Sequence, residues 1–250
     1  MRIQEQLYAL RQEGRKGFAV LIDPDKVNEA QLSHTITLAQ RYSVDFLFVG
    51  GSLLVNAQMN AVIRQLKAEC TIPVVIFPGS VQQVDADADA ILFLSLISGR
   101  NPDLLIGSHV LAAPMIRQAN LEAVATGYIL IDTGKATTVH YISNTQPIPY
   151  DKPDIALCTA MAGELLGLKV IYMDGGSGAL KSISSEMIEA VSNHTEIPLI
   201  IGGGIRSAGD AKRIWEAGAD VIVIGNAIER DPEGRLMRAV SEARHEVVKI

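Results

Sequence analysis

Short apolar runs recur eight times along the chain: Phe18–Ile22, Phe46–Val49, Pro73–Phe77, Ala90–Ser95, Tyr128–Ile131, Val170–Met173, Pro198–Ile201 and Val221–Ile224. They are unbroken and rich in Val, Ile and Leu, as parallel strands covered on both faces are. Helix-like amphipathic segments separate many of them: Glu29–Arg41, Asn56–Glu69, Ser184–Asn193 and Ala208–Ala217. This alternation predicts an α/β fold with a parallel sheet. Eight units favour closure into a (β/α)8 barrel of the TIM type, where six would favour an open sheet.

Two tracts break the rhythm. Pro78–Asp89 is too short and too polar for a barrel helix, so the helix after strand three is expected to be replaced by a loop or single turn, leaving a gap in the helical ring. Thr133–Pro153 exceeds an ordinary barrel loop, and long ordered loops are often functional; a helix over Asp154–Leu166 is expected to follow. Ile3–Gln12 reads as an extra helix capping the barrel bottom.

Composition sharpens this picture in a few places. A chain of 250 residues, 48% apolar, suits one barrel with two apolar layers, and no linker interrupts it, so residues 1–250 read as one domain. The net charge of −6 argues against a nucleic-acid partner, which needs clustered Lys and Arg. It leaves room for a phosphate ligand, because backbone N–H groups hold anions without a basic surface. Cys70 and Cys158 lack the spacing of a disulfide framework or zinc site. The polar Met1–Gly14 stretch is unlike a secretory signal, and the longest apolar run, Ile91–Ile97, is far below the ~20 residues of a membrane span. A soluble, cytoplasmic protein is expected.

Barrel active sites lie where the strands end. Those positions carry Asp23-Pro24-Asp25-Lys26, Gly50-Gly51-Ser52, Phe77-Pro78-Gly79, Ser98-Gly99, Asp132, Asp174-Gly175-Gly176-Ser177-Gly178, Gly202-Gly203-Gly204 and Gly225-Asn226. The loops after strands seven and eight commonly build a barrel phosphate site, and Gly176-Ser177-Gly178 adds further N–H donors and a hydroxyl. A short helix from Ala227 would turn its N-terminus to the anion. Asp23 and Asp25 suit Mg2+, which takes one or two carboxylates together with substrate phosphates, and Ser52 offers another oxygen. The plainer roles are a cap or turn residue for Asp25 and a solvated side chain for Lys26. Asp174 suits a general base for a substrate hydroxyl, or else a turn cap. The five histidines (His34, His109, His140, His194 and His245) fall mostly in helix or loop segments without zinc spacing and read as structural or surface.

These residues leave several readings open. One is a phosphosugar isomerase, aldolase or flavin enzyme; an aldolase would want a Lys at a strand end, where none stands out, and a flavin enzyme would be yellow. Another is a non-catalytic phosphometabolite binder, against which the carboxylates Asp23 and Asp174 speak.

The chain also resembles the geranylgeranylglyceryl phosphate synthase family, prenyltransferases that include the PcrB proteins, over nearly its whole length. The resemblance rests on Leu21-Ile22-Asp23-Pro24-Asp25-Lys26, Val49-Gly50-Gly51-Ser52, Gly127-Tyr128-Ile129-Leu130-Ile131 and Ser143-Asn144-Thr145-Gln146-Pro147-Ile148-Pro149. It continues through Tyr172-Met173-Asp174-Gly175-Gly176-Ser177-Gly178, Gly202–Ser207 and Ile224-Gly225-Asn226. It is nearest to the second of the family's two groups. The resemblance implies Mg2+-dependent alkylation of the C3 hydroxyl of sn-glycerol 1-phosphate by a polyprenyl diphosphate, with geranylgeranyl the expected donor, and a homo-oligomer, dimer or hexamer. Asp23 and Ser52 correspond to the metal ligands. Tyr172, Met173, Asp174, Gly175, Gly176, Ser177, Gly178, Gly203, Gly204, Gly225 and Asn226 correspond to the glycerol-phosphate site. The family often has Glu where this chain has Asp174, which draws the carboxylate back by about 1.5 Å; a bridging water would restore its reach. The gap after strand three would then leave an apolar groove for the isoprenoid, with Phe77, Phe93 and Leu94 nearby.

Overall fold

A computed structural model of the protein describes residues 1–56 and 58–247. Its eight parallel strands close into a barrel in chain order. They are β1 (Gly17–Ile22), β2 (Phe46–Gly51), β3 (Val74–Pro78), β4 (Ala90–Leu96), β5 (Glu122–Leu130), β6 (Val170–Asp174), β7 (Leu199–Gly202) and β8 (Val221–Ile224). The helices are α1 (Ile3–Gln12), α2 (Glu29–Arg41), α3 (Met59–Glu69), α4 (Ser108–Gln118), α5 (Thr138–Ser143), α6 (Pro153–Leu165), α7 (Ser185–Ser192), α8 (Ala208–Glu216), α9 (Asn226–Glu229) and α10 (Arg235–Val247).

Because successive strand residues face opposite ways, the apolar runs feed two cores. Ala19, Phe46, Phe48, Val75, Tyr128, Val170, Tyr172 and Ile200 fill the barrel interior. Their strand neighbours Phe18, Val20, Leu47, Val49, Ile171, Met173 and Ile201 pack outward with the helices. Helix α1 plugs the bottom by adding Ile3, Leu7 and Leu10 to the interior core. Its first turn is fastened to the start of β5, where Ile3 N and Gln4 N donate to the Glu122 carboxylate at 2.8 and 3.0 Å. Its last turn is held by Arg11, which pairs with Asp220 at 2.9 Å.

Between β3 and β4 the chain makes only a single 3-10 turn, Val81–Gln83, so the helical ring is open there as the polar tract predicts. Three features differ from the pattern reading. Strand β5 begins at Glu122, not Tyr128, because Thr126 and Gly127 interrupt its apolar run yet both fit the ladder. Thr126 satisfies its own hydroxyl by donating to Val124 O at 2.8 Å, and a side chain on Gly127 would press on Ile97, Leu168 and Ile171. The segment after β4 forms a helix that the periodicity does not single out: a π-helical turn, Asp103–Gly107, runs into α4. Helix α4 packs against the Val81–Gln83 turn and so borders the gap. The long tract after β5 is not all loop, since it holds the short helix α5. Among the described residues no helix is long and apolar enough to cross a membrane.

Leu7 is almost fully buried beneath the barrel. Leu7→Ala is expected to lower stability by about 2–5 kcal/mol in chemical denaturation, with ligand binding at the opposite end of the barrel retained.

Candidate active site

The residues after the strands converge on the C-terminal mouth. Asp174 ends β6 and turns into the barrel interior beside Tyr172, where it is only 7% exposed. Its Oδ2 accepts a hydrogen bond from the Tyr128 hydroxyl at 2.6 Å, and its Oδ1 accepts from Gly176 N at 2.8 Å. Burial pushes the Asp174 carboxyl above the ordinary aspartate range, against the opposing pull of these two donors. Burial, reinforced by the Asp174 charge, raises the phenols of Tyr128 and Tyr172 well above their usual value, so both stay protonated, and Tyr128 serves as a donor.

This carboxylate dictates the glycine pattern around it. Gly203 has φ +83°, and a Cβ there would lie 2.8 Å from both Asp174 Oδ1 and Gly175 N. Gly176 has φ +80°, and a Cβ there would collide with the Thr137 side chain. Only glycine meets both demands, positive φ and close backbone approach. The loops after β6 and β7 thus close around Asp174. Asn226 Nδ2, in the first turn of α9, donates to Ser177 Oγ at 3.0 Å and ties the β8 loop to the β6 loop.

Asp23 directly follows β1 on the other side of the mouth, partly exposed. Its Oδ1 accepts from Asp25 N at 3.1 Å, and its Oδ2 pairs with Lys26 Nζ at 2.8 Å. Asp25 points away and accepts from Val55 N and Asn56 N at 2.7 and 3.1 Å. It is a clamp on the β2 loop, so it falls to the structural role. Ser52 lies in that loop, at the edge of an apolar groove.

The groove fills the gap in the helical ring and encloses about 900 Å3 including its open mouth. Phe77, Phe93 and Leu94 all line it, with Val84 and the α4 residues His109, Ala112 and Ile116. Phe77 stacks on Tyr172 at 5.1 Å and packs against Tyr128 at 6.0 Å, so one aromatic cluster forms both the inner end of the groove and the floor under Asp174. His109 is buried, edge-on to Phe93 at 4.4 Å, and burial lowers its pKa.

Among the described residues, no three His, Cys, Asp or Glu side chains converge as a metal cage. Asp23 and Ser52 offer hard oxygens, the kind of donor that Mg2+ takes together with substrate phosphates.

The PcrB family model matches residues 9–244. The chain belongs to the PcrB family. It is 54% identical over 233 residues to a Chitinophaga pinensis protein named geranylgeranylglyceryl phosphate synthase, covering 93% of this chain and 92% of that one. A Korarchaeum cryptofilum protein of the same name is 41% identical over 226 residues, covering 90% and 91%. The crystal structure of (S)-3-O-geranylgeranylglyceryl phosphate synthase from Thermoplasma acidophilum in complex with its substrate sn-glycerol-1-phosphate superposes with a TM-score of 0.92 at 30% identity, over 98% of this chain and 99% of that one.

Within this PcrB-family barrel, Asp23, Ser52, Tyr172, Asp174, Gly175, Gly176, Ser177, Gly178, Gly203, Gly204, Gly225 and Asn226 all stand at or just beneath the mouth. Met173 does not: its side chain points into the outer core, and only its main chain belongs to this region. Tyr128, which the apolar pattern marks only as a strand residue, is the main addition. Its register opposite Tyr172 is a pairing between strands, which neither strand's own sequence states. Gln83 is another: it donates to Gly51 O at 3.2 Å and accepts from Gly79 N at 3.0 Å, bracing the tops of β2 and β3.

The raised Asp174 pKa has a consequence for stability. A carboxyl raised above its unfolded value favours the fold while protonated, and that contribution is lost as pH rises through the folded value. At neutral pH the buried charge is therefore a cost. Asp174→Asn, which keeps an acceptor for Gly176 N, is expected to melt above wild type at pH 7, by about 2–4 °C per kcal/mol relieved. The gap should close as pH falls toward 4, which differential scanning at a series of pH values measures.

Proposed function

We propose that this protein transfers a geranylgeranyl group from its diphosphate to the C3 hydroxyl of sn-glycerol 1-phosphate. The ether C–O bond forms, the allylic C–O bond to diphosphate breaks, and the hydroxyl proton leaves toward Asp174. The observation that carries this reading is that the glycine-lined mouth and the apolar groove share one wall, the Phe77, Tyr128 and Tyr172 cluster. A water-soluble phosphate ester and a long hydrocarbon would meet there, end to end. The names of the relatives from Chitinophaga pinensis and Korarchaeum cryptofilum, and the glycerol phosphate in the Thermoplasma acidophilum complex, support the same substrates.

Each group has a task that its surroundings suit. The N–H groups around Ser177, Gly203, Gly204 and Gly225 receive the ester phosphate, with the Ser177 hydroxyl and Asn226 closing the cradle. Holding the acceptor in place removes much of the entropic barrier of a two-substrate reaction. Asp174, made more basic by burial, accepts the hydroxyl proton directly or through one water, while Tyr128 and Gly176 N orient it. The groove keeps water from the allylic carbon as positive charge develops on it. Asp23 and Ser52 would hold Mg2+ against the diphosphate, where the ion stabilises the charge of the leaving group. Exposed Val110 and Leu111 on α4, and Leu165 at the end of α6 with Leu166 just beyond it, support a homo-oligomer, which light scattering at micromolar protein tests. A cytoplasmic location belongs to the same reading.

Incubation with sn-glycerol 1-phosphate, Mg2+ and prenyl diphosphates of several lengths, followed by mass spectrometry, should reveal the phosphoglyceryl ether, with the geranylgeranyl donor preferred. Asp23→Asn should reduce turnover by two or more orders of magnitude. No ether with any donor would refute the reading, and full activity of Asp23→Asn would remove Asp23 from the metal role.

A further inference from the structure

Lys26 reads from sequence as a solvated side chain, but its surroundings are not those of one. Its ammonium has three N–H donors and no acceptor. Three oxygens from two strand ends surround it: Asp23 Oδ2 at 2.8 Å, Asn226 Oδ1 at 3.4 Å and Glu229 Oε2 at 3.7 Å. Asn226 uses its other end to hold Ser177. A continuous chain, Asp23 to Lys26 to Asn226 to Ser177, thus spans the mouth from the β1 end to the glycine loops. The Lys26 side chain remains 46% exposed on a short turn, so its four-carbon stem is free to swing while its backbone stays anchored, Lys26 N donating to Asp23 O at 3.0 Å.

We propose that Lys26 is a place-holding cation: it neutralises Asp23 in the free protein and moves onto phosphate oxygens when a metal-bound diphosphate arrives. The inference rests on the metal role of Asp23 given above. Two carboxylates, Asp23 and Glu229, face the same point of the mouth, and without substrate they need a counter-charge. A divalent ion at Asp23 competes with the ammonium for Oδ2, and an ammonium left beside it would be repelled. Diphosphate resolves the conflict, because it gives the displaced ammonium an anionic partner within its reach. Metal alone should then bind weakly and metal with diphosphate well, which makes loading of the charged site depend on the donor substrate.

The test uses Mn2+ as the metal, read by electron paramagnetic resonance on the intact protein without glycerol phosphate, and inorganic diphosphate, read by calorimetry on Mn2+-loaded protein. Lys26→Gln should bind Mn2+ alone about fivefold more tightly than wild type, the size of an exposed ion pair worth ~1 kcal/mol. It should bind diphosphate more weakly. Lys26→Arg, which keeps the charge, should track wild type in the metal measurement. Lys26→Gln that binds Mn2+ no better than wild type, while Asp23→Asn has lost binding, overturns the inference and leaves the metal site standing. Tightening by Lys26→Arg as well overturns the charge argument, and unchanged diphosphate affinity overturns the transfer to phosphate. If Asp23→Asn binds Mn2+ like wild type, the metal reading fails, and this inference with it.

Discussion

A carboxylate enclosed by aromatic rings and main chain, away from water, stays charged only if donors are built in around it. Asp174 is that group, and much of the mouth follows from satisfying it. One donor comes from the neighbouring strand, so β5 must set Tyr128 opposite Tyr172. The other comes from the loop that follows, so Gly176 must bend back with positive φ to aim its N–H at Oδ1. The β7 loop must pass close enough to enclose the group, which leaves no space for a side chain at Gly203. On the proposed function, the N–H groups of these turns that do not face Asp174 would receive the ester phosphate. Restraining the carboxylate and shaping an anion cradle would thus be two results of one set of close approaches.

The second half of the mouth arises from what the ring of helices lacks. An ordinary barrel would cover the β3–β4 surface with a helix and bury it. Here a single turn leaves Phe93 facing an open groove, bordered by α4 after its π-helical entry, and the inward-facing Phe77 and Leu94 line the same groove from the barrel interior. Such turns are common at functional sites, where they re-aim side chains at the expense of regular hydrogen bonding. Ser95 ties this entry to β4, its hydroxyl donating to Leu105 O at 3.1 Å. The aromatic cluster then joins groove to cradle, so an apolar and an anionic ligand would share a wall without sharing volume.

Much of this is legible along the chain, because apolar runs and glycine clusters are local signals. The eight strands, the capping helix under the barrel, the missing helix after Phe77 and the placing of Asp23 and Asp174 at strand ends all follow from such signals. The rest depends on partners distant in sequence. Tyr128 matters through its register against β6, and Lys26 through oxygens just past β1 and on α9. Asp25 resembles a second mouth carboxylate until the β2 loop is seen donating to it. Met173 shares a motif with Tyr172 and Asp174, but strand alternation turns its side chain to the opposite face. The start of β5 is obscured because Thr126 satisfies its hydroxyl on Val124 O and Gly127 makes room for Ile97, Leu168 and Ile171, neither of which an apolar pattern records.

On the proposed function, the glycine loops and the groove hold the two halves of one reaction on either side of Asp174. A crystal structure with sn-glycerol 1-phosphate and a non-hydrolysable geranylgeranyl thiodiphosphate tests it most directly. The ester phosphate is expected against the loops after β6, β7 and β8, the hydrocarbon between Phe93 and Ala112, and the acceptor hydroxyl between Asp174 and the allylic carbon. A hydrocarbon bound outside the groove, or a phosphate remote from Gly203 and Gly225, would contradict it.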